Sequence, residues 1–336
     1  MDDDLILLGH GSGGTLSHRL LDDLIVATLS GHGPGEQNDA ALLAAGETRL
    51  AFTTDGYVVD PPVFPGGTIG SLAVHGTVND LAMMGARPLW LSCALIIEEG
   101  FSRSQLAAIL NDMRQAADAA GVRIVTGDTK VVPRGKADRI FITTSGVGVL
   151  EHDLAIHGAN ARPGDRIILS GSMGDHGIAV MSAREGLPLE GLCSDSAPLW
   201  DLVEQMLDEA GEGIRVLRDP TRGGVATTLK EIAGQSGVTL QLEEDQLPVH
   251  PQVQGVCGIL GLDPLYVANE GKLLAIVAPE LAESLLARMQ RHHLGHRAAI
   301  IGTVEAGEPG RVRMRTTVGG MRVVEMLAGE QLPRIC

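Results

Sequence analysis

Leu89-Trp90-Leu91-Ser92-Cys93-Ala94-Leu95-Ile96-Ile97 is an apolar run bounded by turn residues and reads as a β-strand. Upstream, Arg49-Leu50-Ala51-Phe52-Thr53-Thr54 reads the same way. Between the two, Thr68 to Gly85 carries Ile69, Leu72, Ala73, Leu81 and Met84 at helical spacing. Strand, helix and strand in that order make the first third of the chain α/β. Ser102 to Ala120 forms a second helix with Gly121 as its stop signal, followed by strand-like runs at Val122 to Val125 and Arg139 to Thr144.

A loop-rich stretch from Gly158 to Asp165 marks a boundary, and Arg166-Ile167-Ile168-Leu169-Ser170-Gly171 opens a second α/β unit. There Val225 to Ala233 and Leu281 to His293 are helix-like, while Leu273 to Val277 and Arg311 to Arg315 are strand-like. The expected class is therefore α/β (α+β) with two domains. The last ten residues, Leu327 to Cys336, contain Gly329 and Pro333 and are expected to form a mobile tail.

At 336 residues the chain suggests about two cores. Aromatic residues are only 2%, so the interior must be built from aliphatic side chains, and 44 glycines point to many turns and backbone-lined sites. The net charge of −16 repels nucleic acid and anionic membrane surfaces. Met1-Asp2-Asp3-Asp4 is the reverse of a basic signal-peptide start, and no apolar run reaches membrane-span length. Cys93, Cys193, Cys257 and Cys336 are widely separated, which fits neither a disulfide framework nor a zinc knuckle. These features fit a cytoplasmic, reduced protein.

His10-Gly11-Ser12-Gly13-Gly14-Thr15 lacks the lysine of a Walker A loop. It suits either a flexible loop or a segment closing over phosphates. Asp39, Asp55, Asp80, Asp128 and Asp219 recur beside small residues at loop edges. Hard oxygen donors of this kind suit a Mg²⁺–phosphate site, and each one alone equally suits a helix cap or a turn. Asp219-Pro220-Thr221-Arg222-Gly223-Gly224 precedes a helix whose free N–H groups favour anions. Asn269-Glu270-Gly271-Lys272 offers a carboxylate and an amine just before a strand. A thiol at the final residue is an oxidisable liability unless it is used.

Taken together, Asn38-Asp39-Ala40-Ala41, Thr54-Asp55-Gly56, Val78 to Pro88 and Asp219 to Val225 resemble the PurM-type ATP-binding superfamily. Within it, His10 to Gly14, Phe64-Pro65-Gly66-Gly67 and the ending Pro333-Arg334-Ile335-Cys336 resemble the HypE family of hydrogenase maturation factors. The resemblance spans the whole chain. It implies a homodimer paired through N-terminal sheets, with residues 1–155 binding ATP, 156–326 forming a C-terminal α/β sandwich and 327–336 a tail. A HypF-like carbamoyltransferase would load Cys336, ATP-dependent dehydration would give a thiocyanate, and a HypC–HypD complex would accept the cyanide.

On that resemblance Asp39, Asp80 and Asp219 are expected to hold Mg²⁺, with Asp55 as a further ligand. Gly11, Gly13, Gly14, Asn79, Asp128 and Arg222 are expected at ATP. Cys336 would carry the reacting group, Glu270 would be the base, and Lys130 would neutralise charge or orient the carbamoyl oxygen. The competing expectations are a non-catalytic thiol carrier and another PurM-like kinase or synthetase. A selenophosphate synthetase would need a reactive residue in the glycine-rich segment, and the first cysteine here is Cys93.

Overall fold

The computed structural model describes residues 5–29, 38–187, 189–327, 329, 332 and 334–336. Two sheets organise the chain. The first has five strands in the spatial order Ala41–Ala45, Thr48–Tyr57, Ile140–Val149, Arg87–Glu98 and Arg123–Val132. All pairs are antiparallel except the last, where Arg87–Glu98 and Arg123–Val132 run parallel. That parallel pair requires a crossover, supplied by the helix Arg103–Ala119 with Ser102 as its N-cap.

The helix Ile69–Met83 lies against this sheet. Thr68 accepts from the Gly70 and Ser71 amides, and Ser71 Oγ accepts from the Thr68 amide, closing a capping box. Every residue of the helix except Asp80 is buried. Gly76 lets the sheet approach closely, since a Cβ there would sit 2.3 Å from the Tyr57 hydroxyl. Asp80 is thus the one polar exit on an otherwise enclosed helix.

The second sheet has seven strands in the order Met321–Val324, Arg311–Arg315, Thr239–Glu243, Ala299–Glu305, Arg166–Leu169, Leu274–Val277 and Ile214–Arg218. Its inner strands are covered on both faces, which explains their continuous apolar runs. Ile167 and Leu169 join the core under the helix Gly224–Ser236. Ile168 points the other way, toward Leu202 of Trp200–Ala210 and Leu285 of Ala282–Gln290. Ala82 and Met83 enter that same core, so the first half's central helix is packed into the second half. No helix of the described residues is long and apolar enough to cross a membrane.

The expected tail includes Ala328, Glu330, Gln331 and Pro333, which lie outside the described residues. The described end is docked. The Val58 amide donates to the Cys336 carbonyl at 3.0 Å and the Asp60 amide to the Arg334 carbonyl at 3.2 Å. Ile335 is buried in the core of the first half, which Val180 and Ala268 of the second half also enter. Arg334 donates Nε to Val58 and ion-pairs with Asp138.

Candidate functional site

A cavity of about 320 Å³ opens where the two halves and the chain end meet. The first half places carboxylates on the wall from within a strand and a helix, and the second half from segments flanking its strands. Asp55 comes from the strand Thr48–Tyr57 and Asp80 from the buried helix. Asp219 follows the strand Ile214–Arg218, and Glu270 lies shortly before Leu274–Val277. Asp39, Gly13, Arg222 and Cys336 also line the wall. The expected metal set, the expected base and the terminal cysteine are thereby gathered in one place.

Four of these carboxylates, Asp39, Asp80, Asp219 and Glu270, are held in proton-retaining surroundings. Burial, opposed by Arg218, raises Asp39 to about 6. Burial and then the charges of Asp55, Asp219 and Asp39 lift Asp80 well above its ordinary range, although Thr53 donates to its Oδ2 at 2.6 Å. Asp219 is lifted by burial and by Asp39, and Glu270 by burial, Asp219, Asp195 and Asp55. Like charges in a low-dielectric cavity cannot all ionise without a cation.

The donor set suits such an ion. Asp39 Oδ2 and Glu270 Oε1 are buried without a hydrogen-bond partner among the described residues. No group of three His, Cys, Asp or Glu side chains among the described residues is close enough to hold a metal by itself. An ion here would complete its shell with water and phosphate oxygens, as Mg²⁺ does.

Sequence reasoning missed Arg218. Its Nε lies 2.7 Å from Asp39 Oδ1, its Nη2 lies 2.7 Å from Glu231 Oε2, and Glu231 in turn meets His18 at 3.0 Å. The available signal was an arginine closing the strand Ile214–Arg218 directly before Asp219, because an arginine carried into the interior needs carboxylate partners.

The glycine-rich segment is packed rather than loose. Arg222 Nη1 donates to the Gly11 carbonyl at 3.1 Å, and a Cβ on Gly14 would stand 2.4 Å from the Leu327 carbonyl. Arg222 faces the chain end, and Cys336, ahead of Asp55 and Glu270, raises its pKa.

Of the expected glycines only Gly13 lines the cavity, Gly11 and Gly14 lying beside it, and Asn79, Asp128 and Lys130 also sit elsewhere in the single chain. Asn79 is buried behind the wall and holds backbone, donating to the Glu270 carbonyl at 3.1 Å. Asp128 and Lys130 pair with each other at 2.6 Å on the exposed strand Arg123–Val132, outside the cavity. The reason is topological: that strand is the last of its sheet, and Asp128 borders a groove of about 990 Å³ beside Arg103–Ala119.

Comparison with known proteins agrees with this architecture. The pattern of the AIR synthase related protein N-terminal domain matches residues 37–150, and that of its C-terminal domain matches 162–315. The chain is 56% identical over 334 residues to the carbamoyl dehydratase HypE of Cupriavidus necator, covering 98% of this chain and 94% of that protein. A crystal structure of the hydrogenase maturation protein HypE in complex with ATP is 51% identical with a TM-score of 0.84, covering 99% of this chain and 100% of that one. A crystal structure of a HypE–HypF complex superposes with a TM-score of 0.87 at 46% identity, covering 92% of this chain and 99% of that one. With its two halves matched in order and its whole length shared, the chain belongs to the AIR synthase related family and, within it, to the HypE carbamoyl dehydratases of hydrogenase maturation.

Proposed function

We propose that the protein dehydrates an S-carbamoyl group carried on its own Cys336 to a thiocyanate, with consumption of ATP. The observation that carries this reading is that Cys336 lines the same cavity as Glu270 and the aspartates. A carbamoyl oxygen is a poor leaving group. ATP with Mg²⁺ supplies the phosphoryl group that converts this oxygen into phosphate and screens the charge that develops. The oxygen departs with phosphate, the two protons on nitrogen depart to a base and then to solvent, and a C≡N bond remains on sulfur.

Asp39, Asp80 and Asp219, with Asp55, would hold the ion, and their mutual repulsion is what the ion relieves. Glu270 has the raised proton affinity that suits a general base near neutral pH. Arg222 faces the chain end and would steady its negative charge. In this reading residues 1–155 are the ATP-binding and dimerisation half, 156–326 the second half, and 327–336 the arm that delivers the group.

A homodimer gives Asp128 and Lys130 a role. The strand Arg123–Val132 is exposed over nearly its whole length, including Val125 and Val131, and an open apolar edge of this kind favours association. A second copy seated on the first sheet would bring Lys130 toward the partner's cavity. A HypF-type carbamoyltransferase would load the thiol, as the relative solved with HypF suggests. A HypC–HypD complex would receive the cyanide, in the cytoplasm, where thiols stay reduced.

The test uses intact mass. Carbamoylated protein mixed with MgATP in single turnover should lose one water and release ADP, and Cys336→Ala should show neither the adduct nor the loss. An unchanged mass in the wild-type protein would leave a carrier and overturn the reading.

A further inference from the structure

His176 is fully buried at the start of the helix Asp175–Arg184, and neither its position nor its motif marks it as part of the cavity. Its Nε2 lies 2.9 Å from the Ile335 carbonyl, the residue before the terminal cysteine. A carbonyl only accepts, so Nε2 carries the hydrogen. Nδ1 lies 2.8 Å from Ser194 Oγ, which itself accepts the Ser196 amide at 3.1 Å. Burial lowers the His176 pKa, so the ring is neutral and Ser194 donates to it. The result is one directed chain of hydrogen bonds, from Ser196 through Ser194 and His176 to the Ile335 carbonyl.

The Phe64-Pro65-Gly66-Gly67 stretch supports this seat. The Phe64 ring stands edge-on to the imidazole, with centroids 5.5 Å apart and planes at 88°. The Ser194 amide donates to the Pro65 carbonyl at 2.8 Å. Gly66, at φ +94°, permits that approach, since a Cβ would lie 3.0 Å from both backbone N and O of Ser194.

The next residue faces the other way. Asp195 Oδ1 accepts the Glu270 amide at 3.1 Å, and its Oδ2 pairs with Lys272 Nζ at 3.1 Å. A Cβ on Gly271 would fall 1.8 Å from the Asp195 carbonyl, so glycine keeps the two segments in contact. Adjacent residues of one short loop therefore hold the chain end and the segment bearing the carboxylate.

We infer that His176 is a positioning residue that sets the register of Cys336 at the cavity, and that Ser194 and Asp195 tie this seat to Glu270. The inference rests on the reading that Cys336 carries the reacting group. Other contacts of the chain end include those from the Val58 and Asp60 amides and from Arg184, whose Nη2 donates to the Arg334 carbonyl at 2.7 Å. The His176 contact is the buried one made to the penultimate carbonyl, and it can be removed by substitution.

The experiment compares full-length wild type, His176→Ala and His176→Gln. The first readout is the rate at which iodoacetamide alkylates Cys336, resolved from the other cysteines by peptide mass. His176→Ala should raise that rate roughly fivefold, the effect of one buried hydrogen bond. In single turnover of the carbamoylated protein, its dehydration rate should fall by a similar factor, with MgATP affinity unchanged. The amide of His176→Gln reaches the same carbonyl and should restore most of both. An alkylation rate equal to wild type in His176→Ala overturns the inference. If that variant does not fold, Ser194→Ala removes only the hydroxyl that orients the ring, and the same outcomes apply to it. Absence of water loss in the wild type would overturn the proposed reaction instead, and the alkylation arm would still decide the seat.

Discussion

The Asn79 side-chain amide donates to the Glu270 backbone carbonyl at 3.1 Å, so the central helix of the first half holds the acidic segment of the second. The same amide donates to the Ala197 carbonyl at 3.1 Å, and its oxygen accepts the Leu199 amide at 2.8 Å. Three backbone groups from two segments of the second half thus converge on one buried side chain. That arrangement explains why an asparagine next to a metal-type aspartate acts behind the cavity wall and not on it.

Asn79→Ala leaves two carbonyls and one amide without these partners. The expected loss is roughly 2–3 kcal/mol of stability, since buried polar groups left unsatisfied lose more than the net value of the bond. A urea titration followed by circular dichroism measures it. An unchanged midpoint would show that Asn79 does not join the halves.

Acid should stabilise the cation-free protein, the reverse of the usual carboxylate behaviour. Asp39 is raised to about 6, above the value of about 3.9 for an unfolded chain. A carboxyl with a raised folded pKa contributes fully below its unfolded value and loses that contribution as pH rises through about 6. For Asp39 the loss is on the order of 3 kcal/mol, and Asp80, Asp219 and Glu270, shifted in the same direction, add to it. Thermal melts from pH 5 to 8 should therefore fall without a divalent cation, and MgATP should restore stability most at the alkaline end. Asp39→Asn should flatten the acidic part of the curve. A melting temperature that rises with pH in the absence of cation contradicts the assignment.

Lys130 and Cys336 give a direct test of a shared site. Lys130→Ala should fold normally, because its side chain is 68% exposed and Asp128 is its one ion-pair partner among the described residues. It should nevertheless lose dehydration activity if Lys130 serves the neighbouring subunit. Cys336→Ala is inactive for lack of a group to transform. Mixing the two variants under exchanging conditions should restore roughly a quarter of the sites, because each mixed dimer rebuilds one complete cavity. No recovery would place Lys130 outside the reaction.

Much of this framework can be read from local pattern. The helix anticipated from Thr68 to Gly85 forms over Ile69–Met83, and the run Leu89 to Ile97 lies within the strand Arg87–Glu98. Both signals are local, set by periodicity and capping. The cavity's carboxylates are legible as acidic residues beside small ones, yet nothing local separates Asp80, which enters the cavity, from Asp128, which does not. That difference arises from strand order, because Asp128 lies on the end strand of the sheet. His176 and Ser194 are invisible for a related reason. Their roles depend on the contact of His176 with Ile335, 159 positions away in the chain, and no spacing rule reaches so far.

Glu270 is the residue whose replacement tests the chemistry most directly. It is buried, one carboxylate oxygen has no hydrogen-bond partner among the described residues, and its proton affinity is raised by burial and by Asp219, Asp195 and Asp55. Glu270→Gln preserves shape and the backbone contacts from Asn79 and Asp195 but accepts no proton. MgATP affinity should be kept, while dehydration of the carbamoylated protein slows by roughly 10²–10⁴-fold, the usual scale for a lost general base. The wild-type single-turnover rate should rise with pH as Glu270 gives up its proton, and the variant's profile should lose that limb. The variant also removes one of the crowded carboxyl groups, so its cation-free form should melt higher than wild type above pH 6. A variant that melts higher yet turns over at the wild-type rate would confirm the electrostatics and assign proton removal to another group, with Lys130 the next to examine.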